Sequence, residues 1–242
     1  MGAIVLGLCA LAAALAAVEA ARNLRRRRAR DRTVSAGMGD PAARPQAIAS
    51  LRRELLRVER PPGLLGRRAL DREASEIRLT LALLLLVADE PEAALDELVQ
   101  IDPNRLPKHL QAVLALHAVE AHLRLAEWDA AERVLDGYSD DALNANGRAL
   151  RQNARAQIRL GRGDARGALR VLDETEPTPE VAPQLAVTRA RALAADGQRS
   201  DEVWRILSAL QPLELERVLE RHGGEPVAQA ARRILDGQGP YR

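Results

Sequence analysis

The chain has 242 residues, a net charge of +2, one cysteine, no phenylalanine and 2% aromatic residues. The single cysteine excludes a framework of intramolecular disulfides. Leu, Ala, Arg and Glu dominate, and the composition predicts an all-α protein with enough chain for one medium domain or a short helical array. Residues 22–68 hold fourteen arginines against four acidic residues, whereas residues 69–242 carry a net charge of −7, so the two parts differ in electrostatic character.

The N-terminal segment is typical of a membrane anchor. Residues 3–18 carry no charge, and a helix over residues 3–21 would be about 28 Å long, close to the thickness of the hydrocarbon layer of a bilayer. A cluster of arginines follows directly, and we expect it to lie on the cytoplasmic side of the membrane. The residues of this flank are Arg22, Arg25, Arg26, Arg27, Arg28, Arg30 and Arg32. The sequence therefore predicts a single-pass anchor at residues 1–21 of a cell (inner) membrane, with the remaining chain cytoplasmic.

Two alternatives to a retained anchor remain open. A cleaved secretory signal would normally have Lys or Arg ahead of its apolar run, and here only the α-amino group precedes it. An interfacial helix would need a polar face, which this segment lacks. The arginine flank also opposes translocation of the chain that follows, so the sequence favours the anchor.

The basic part of the chain begins with a predicted flexible linker at residues 22–45, where Gly37, Gly39, Pro41 and Pro45 stand among small residues. Residues 46–66 then contain an amphipathic helix with arginines on its polar side. This helix can cap the repeats that follow, or it can lie on anionic lipid through its arginines. Nucleic acid is disfavoured as a partner because no aromatic side chains stand among the arginines to stack on bases.

Residues 67–211 show an internal repeat of paired helices. The second helices begin in segments such as PEAALDEL, WDAAERVL and GDARGALRVL. Aligning Ala94, Ala131, Ala168 and Val203 gives spacings of 37, 37 and 35 residues. An apolar helical segment precedes each one, and turn residues separate the two halves. A two-helix unit cannot bury its apolar face alone, so the sequence predicts an α-solenoid of about four stacked hairpins.

These residues resemble the tetratricopeptide repeat family, in a divergent form. The resemblance rests on Ala131 with Val134-Leu135, on Ala168 with Val171-Leu172, and on small residues at Ala156 and Ala190. The early tryptophan and mid-helix glycine of that family are missing, and the period exceeds its 34 residues. Residues 212–242 are predicted to form two capping helices and a tail, split by Gly223-Gly224.

The sequence contains no pattern that points to catalysis or to a cofactor or metal site. His117 and His122 are five residues apart on a predicted helix, so they do not share a face as two zinc ligands must. The glycines near Gly163 follow a helix rather than a strand, which does not fit a phosphate-binding loop. We therefore do not expect an enzyme.

The resemblance implies a concave groove, lined by the first helix of each repeat, that binds a segment of a partner protein. The polar candidates for this groove are Glu120, Asn153, Gln157, Gln184 and Arg191. The expected function is that of a non-catalytic membrane-anchored scaffold or adaptor of bacterial type. The alternative is a structural accessory subunit of a larger membrane complex, whose anchor packs against other transmembrane helices.

Overall fold

The computed structural model describes residues 24–25, 27–59, 67–138, 143–197 and 200–238. All regular secondary structure in these ranges is helical, which confirms the all-α class. The helices are α1 (27–39), α2 (Arg44–Glu59), α3 (Arg67–Val87), α4 (Pro91–Val99), α5 (Lys108–Arg124), α6 (Trp128–Asp136), α7 (Ala145–Gly161), α8 (Ala165–Asp173), α9 (Ala182–Ala195), α10 (Ser200–Ser208), α11 (Pro212–His222) and α12 (Pro226–Leu235). A short 3-10 turn, Pro103–Arg105, precedes α5.

The predicted anchor, residues 1–21, lies outside the described residues. Within the described ranges, no helix combines the length and the apolar character that crossing a bilayer requires. The chain divides into two compact units, residues 1–101 and residues 102–242. The hairpin α3–α4 belongs to unit 1, and the hairpins that follow belong to unit 2.

Unit 1 corrects the prediction of a flexible linker at residues 22–45, because α1 covers residues 27–39. The correction comes from packing. A Cβ atom placed on Gly37 would lie 2.8 Å from the Cβ of Ala47 in α2 and 3.3 Å from a methyl carbon of Leu84 in α3. The glycine therefore allows three helices to approach closely. Arg44 strengthens the same junction by donating hydrogen bonds to the carbonyl oxygens of Gly37 and Val87, near the ends of α1 and α3.

Unit 2 contains a regular stack of hairpins. The long helix α7 packs on both helices of hairpin α5–α6, and α9 packs in the same way on α7 and α8. The short helices α6, α8 and α10 are each nine residues long and begin at residues 128, 165 and 200. The interior is continuous along the stack, because α7 contributes Ile158 to one apolar cluster and Ala156 to the next. Burial of these faces against neighbouring hairpins is what stabilises such short helices.

The turns inside the hairpins share one backbone geometry. Ala126 and Gly163 each follow the C-terminal residue of a long helix by two positions and have φ values of 56° and 82°. The amide after each of them donates a hydrogen bond back to the carbonyl oxygen five residues earlier, as in a Schellman motif. In unit 1, Asp89 has φ 62° and the same bond pattern. The turn geometry thus repeats at the 37-residue spacing seen in the sequence.

The last hairpin joins the stack differently. Helix α12 packs against both α9 and α10, and α11 packs mainly against α12. Val227, at the start of α12, is fully buried together with Leu207 of α10. As a consequence, the turn between α11 and α12 lies close to polar residues of the long helices.

Candidate functional site

The polar candidates of unit 2 lie on the long helices, but they differ in environment. Asn153 of α7 is buried, and its Oδ1 atom has no hydrogen-bond partner among the described residues. Gln157, one turn later, is half-buried. Gln184 is exposed near the start of α9, where its carbonyl oxygen accepts a hydrogen bond from Thr188.

Arg191 of α9 is engaged by the turn that precedes α12. Its Nε and Nη2 atoms donate to the two carboxylate oxygens of Glu225 at 2.8 and 2.7 Å. His222 places its Nδ1 atom 3.2 Å from the same carboxylate. A guanidinium and a carboxylate in this two-bond arrangement form the strongest type of side-chain hydrogen bond.

Glu120 of α5 is engaged by the same turn from the other side. Its Oε1 atom accepts a hydrogen bond from Arg124 at 2.9 Å and lies 4.0 Å from the Nη1 atom of Arg221. We define the C-terminal turn as residues 221–225, with the sequence RHGGE. Its first residue contacts α5 and its last residue contacts α9.

This contact pattern defines the shape of the polar side of unit 2. Helices α5 and α9 both pack on α7, so they stand on either side of it. Neighbouring helix axes are about 8–10 Å apart, which places α5 and α9 nearly 20 Å from one another. A five-residue segment extends no more than about 14 Å between its terminal Cα atoms, and the arginine side chains bridge the remainder. The turn therefore links α5 to α9 through Arg221 and Glu225.

The electrostatics of the turn centre on Glu225. Burial alone would raise the pKa of its carboxyl group, but the hydrogen bonds from His222 and Arg191 and the charge of Arg191 outweigh burial. The net effect lowers the pKa of Glu225 to about 2. The carboxylate is thus charged over the whole physiological range and acts as the fixed partner of Arg191.

The histidines of α5 have separate environments. The Nδ1 atom of His117 has neither solvent contact nor a hydrogen-bond partner, and burial lowers the pKa of this imidazole to about 4. His122 instead places its Nδ1 atom 2.7 Å from the Oε2 atom of Glu127 at the end of the helix. In the part of the chain that the structure describes, no three His, Cys, Asp or Glu side chains group as metal ligands would.

The arginine flank in unit 1 divides into two kinds of residue. Arg25, Arg27, Arg28 and Arg32 are exposed, whereas Arg22 and Arg26 lie outside the described residues. Arg30 corrects the prediction, because it is buried and its Nη2 atom lies 2.7 Å from a carboxylate oxygen of Glu54 and 3.1 Å from one of Glu73. Burial opposes its charge, but the two carboxylates outweigh this effect and raise the pKa of Arg30. Arg30 therefore joins α1, α2 and α3 instead of facing a membrane.

Sequence reasoning did not select the residues of the C-terminal turn. Arg221, His222 and Glu225 belong to the segment that we assigned to capping. The available signal was Gly223-Gly224 between two predicted helices, which marks a turn with charged residues on both sides. Comparison of the chain with protein-family models, with curated proteins and with solved structures finds no match.

Proposed function

We propose that this chain is a membrane-anchored helical-repeat adaptor that binds protein partners on the cytoplasmic face of the membrane and has no catalytic role. The anchor and its orientation rest on the apolar residues 3–18 and the arginines after them. The repeat assignment, an α-solenoid similar to tetratricopeptide repeats, is supported by the repeated turn geometry and the hairpin stacking in unit 2. In this proposal, a partner protein binds in a groove lined by the long helices of unit 2.

One observation supports this proposal: a short charged segment of the chain itself already contacts two of the long helices that would line the groove. The C-terminal turn presents Arg221 to Glu120 of α5 and Glu225 to Arg191 of α9. A partner segment with a basic residue and an acidic residue at similar separation would make the same two contacts. Because the turn occupies this place in the free protein, such a partner must displace it or bind beside it, next to Gln157 and Gln184.

The test uses site-specific photo-crosslinking in membranes of the native host. A photoreactive residue replaces Gln157 in the groove or, as the matched control, Arg133, which is exposed on the second helix α6. We expect a defined crosslinked protein from position 157 and not from position 133. We also expect Arg191→Glu to abolish the crosslink, because it reverses the charge that receives the acidic residue. Equal crosslinking from both positions, or none from position 157, would contradict the adaptor role.

A second experiment separates the adaptor from an accessory subunit of a membrane complex. Residues 1–21 are replaced by an unrelated leucine-rich span of similar length. An adaptor needs only tethering at the membrane, so its crosslink at position 157 should persist. Loss of the crosslink in the replaced chain would favour the accessory subunit, because its anchor must pack against specific helices. Digestion of the bulk of the chain by protease outside intact cells would overturn the cytoplasmic orientation.

A further inference from the structure

The hairpin of α1 and α2 in unit 1 exposes arginines from both helices at the same end. Arg30 pairs with Glu54, and Gly37 lies against Ala47, so the two helices run antiparallel in a fixed register. This register places Arg28 level with Leu56. We define the basic face by its exposed arginines, which are Arg25 just ahead of α1, Arg27, Arg28 and Arg32 of α1, and Arg52, Arg53 and Arg57 of α2.

The acidic residues of this hairpin do little to neutralise the basic face. Glu54 is held by Arg30, and Glu59 at the end of α2 is hydrogen-bonded to Arg78 of α3. Asp31 is an exposed acid on α1, set among the exposed arginines. The basic face therefore keeps a strong positive field that is directed to solvent.

The basic face also carries exposed apolar side chains. Leu56 is 52% exposed and falls between Arg52, Arg53 and Arg57 on one stripe of α2. Leu24 is 51% exposed at the start of the helical residues that lead into α1. Arginines around a leucine match the headgroup and upper acyl region of an anionic bilayer. The same pattern offers nothing for base stacking, which a nucleic-acid surface would use.

We propose that the basic face is a docking surface for anionic lipid, with Leu56 inserted at the level of the headgroups. The proposal rests on the proposed function in one respect, since the predicted anchor ends at residue 21, only a few residues before Arg25, the first exposed arginine among the described residues. The four residue steps from residue 21 to Arg25 span about 14 Å or less, so an inserted anchor holds Arg25 close to the lipid surface. The hairpin of α1 and α2 then lies along the membrane, while Arg30 remains paired with carboxylates inside unit 1.

The number of arginines on the basic face determines how strongly it should dock on anionic lipid. Each arginine near an anionic surface contributes about fivefold to the docking equilibrium. Replacing Arg52, Arg53 and Arg57 with glutamine should therefore weaken docking by roughly 100-fold. The matched control replaces three exposed arginines of unit 2 with glutamine, namely Arg133, Arg170 and Arg217. The control should leave docking unchanged.

The experiment places the full chain in nanodiscs of phosphatidylcholine alone or mixed with phosphatidylglycerol. In a Cys9→Ala background, Leu56→Cys carries a polarity-sensitive fluorophore, and Leu213→Cys, at a leucine of α11 that is 56% exposed, carries it as the control. We expect a blue shift at position 56 in the anionic discs alone, lost in the triple glutamine variant of α2 and reduced in about 1 M salt, where charges are screened within ~3 Å. Unchanged circular dichroism would show that the variant remains folded.

Three outcomes would refute the proposal that the basic face docks on anionic lipid. The first is the same spectrum at position 56 in neutral and anionic discs, and the second is an equal shift at position 213. The third is tight binding of a short DNA duplex, lost in the α2 variant, without any lipid response. Failure of the anchor is distinguishable, because the chain would then stay out of neutral discs while still binding anionic vesicles through the basic face.

Discussion

The contact between Arg191 and Glu225 is open to a quantitative test. We consider the variants Arg191→Ala and Glu225→Ala and the double variant. The lowering of the Glu225 pKa from 4.5 to about 2 would correspond to about 3 kcal/mol if it were fully expressed. The Glu225 side chain is 36% exposed, and solvent screening reduces this figure to about 1–2 kcal/mol. We expect Glu225→Ala to lose about that much stability and Arg191→Ala to lose less, because the hydrogen bond from His222 also lowers the pKa of Glu225. The coupling free energy between Arg191 and Glu225 should be near 1 kcal/mol.

Urea unfolding followed by tryptophan fluorescence measures this stability. Both tryptophans, Trp128 and Trp204, lie in unit 2, so the signal reports on the unit that contains the ion pair. The matched control is a second ion pair of α9, Arg189 with Asp173 at 2.6 Å. The Asp173 side chain is 61% exposed, so its coupling free energy should stay below about 0.5 kcal/mol. A coupling of Arg191 with Glu225 no larger than this control would refute the reasoning.

The pH dependence gives an independent check of the same contact. The folded pKa of Glu225 lies below the unfolded value, so the stabilising contribution of its carboxylate is complete above about pH 4.5. It fades as the pH falls toward 2, because protonation then occurs in the folded protein as well. Comparison of the wild type with Glu225→Gln across this range should show the difference between them shrink with falling pH. A constant difference would contradict the assignment.

Three further predictions concern other parts of the fold. Burial lowers the pKa of His117 from 6.5 to about 4, so the stability associated with its neutral form is fully present above pH 6.5 and is lost as the pH falls to 4. The free energy of unfolding of the wild type, measured by urea titration, should fall by about 2 kcal/mol between pH 7 and pH 5. His117→Gln should remove most of that loss. Ala126→Gly should stabilise unit 2 by up to about 1 kcal/mol and Gly163→Ala should destabilise it by a similar amount, because both positions have positive φ. A Cβ at Gly163 would meet no atom within 4 Å, so backbone strain alone sets the cost there. The urea midpoints should shift in opposite directions, and shifts of the same sign would contradict this explanation. Arg30→Ala should lower the stability of unit 1 by roughly 1–3 kcal/mol, because it leaves two carboxylates without their cation. Arg32→Ala, on the exposed side of α1, should leave the stability nearly unchanged. Thermal unfolding followed by circular dichroism would measure the difference, and equal effects of the two variants would exclude a structural role for Arg30.

The hairpin register of unit 2 was accessible from the sequence, because it depends on local patterns. The apolar spacing and the turn residues around Ala126 and Gly163 predict where each long helix ends and each short helix begins, and the structure places α6 and α8 accordingly. Helix periodicity and turn chemistry act over a few residues, so they can be recognised without knowledge of distant contacts. The charge asymmetry between residues 22–68 and the remaining chain is likewise a property of the sequence alone.

Only the tertiary structure decided which charged residues face solvent and which face one another. Gly37, one of the glycines that favoured a flexible linker at residues 22–45, instead allows α1 to pack closely against α2 and α3. Arg30 is buried because it pairs with Glu54 and Glu73. The C-terminal turn reaches Glu120 and Arg191 because α12 takes the packing position on α9 and α10. Such contacts join residues tens of positions apart, and their free energy depends on burial and distance in the folded chain, which no local pattern records.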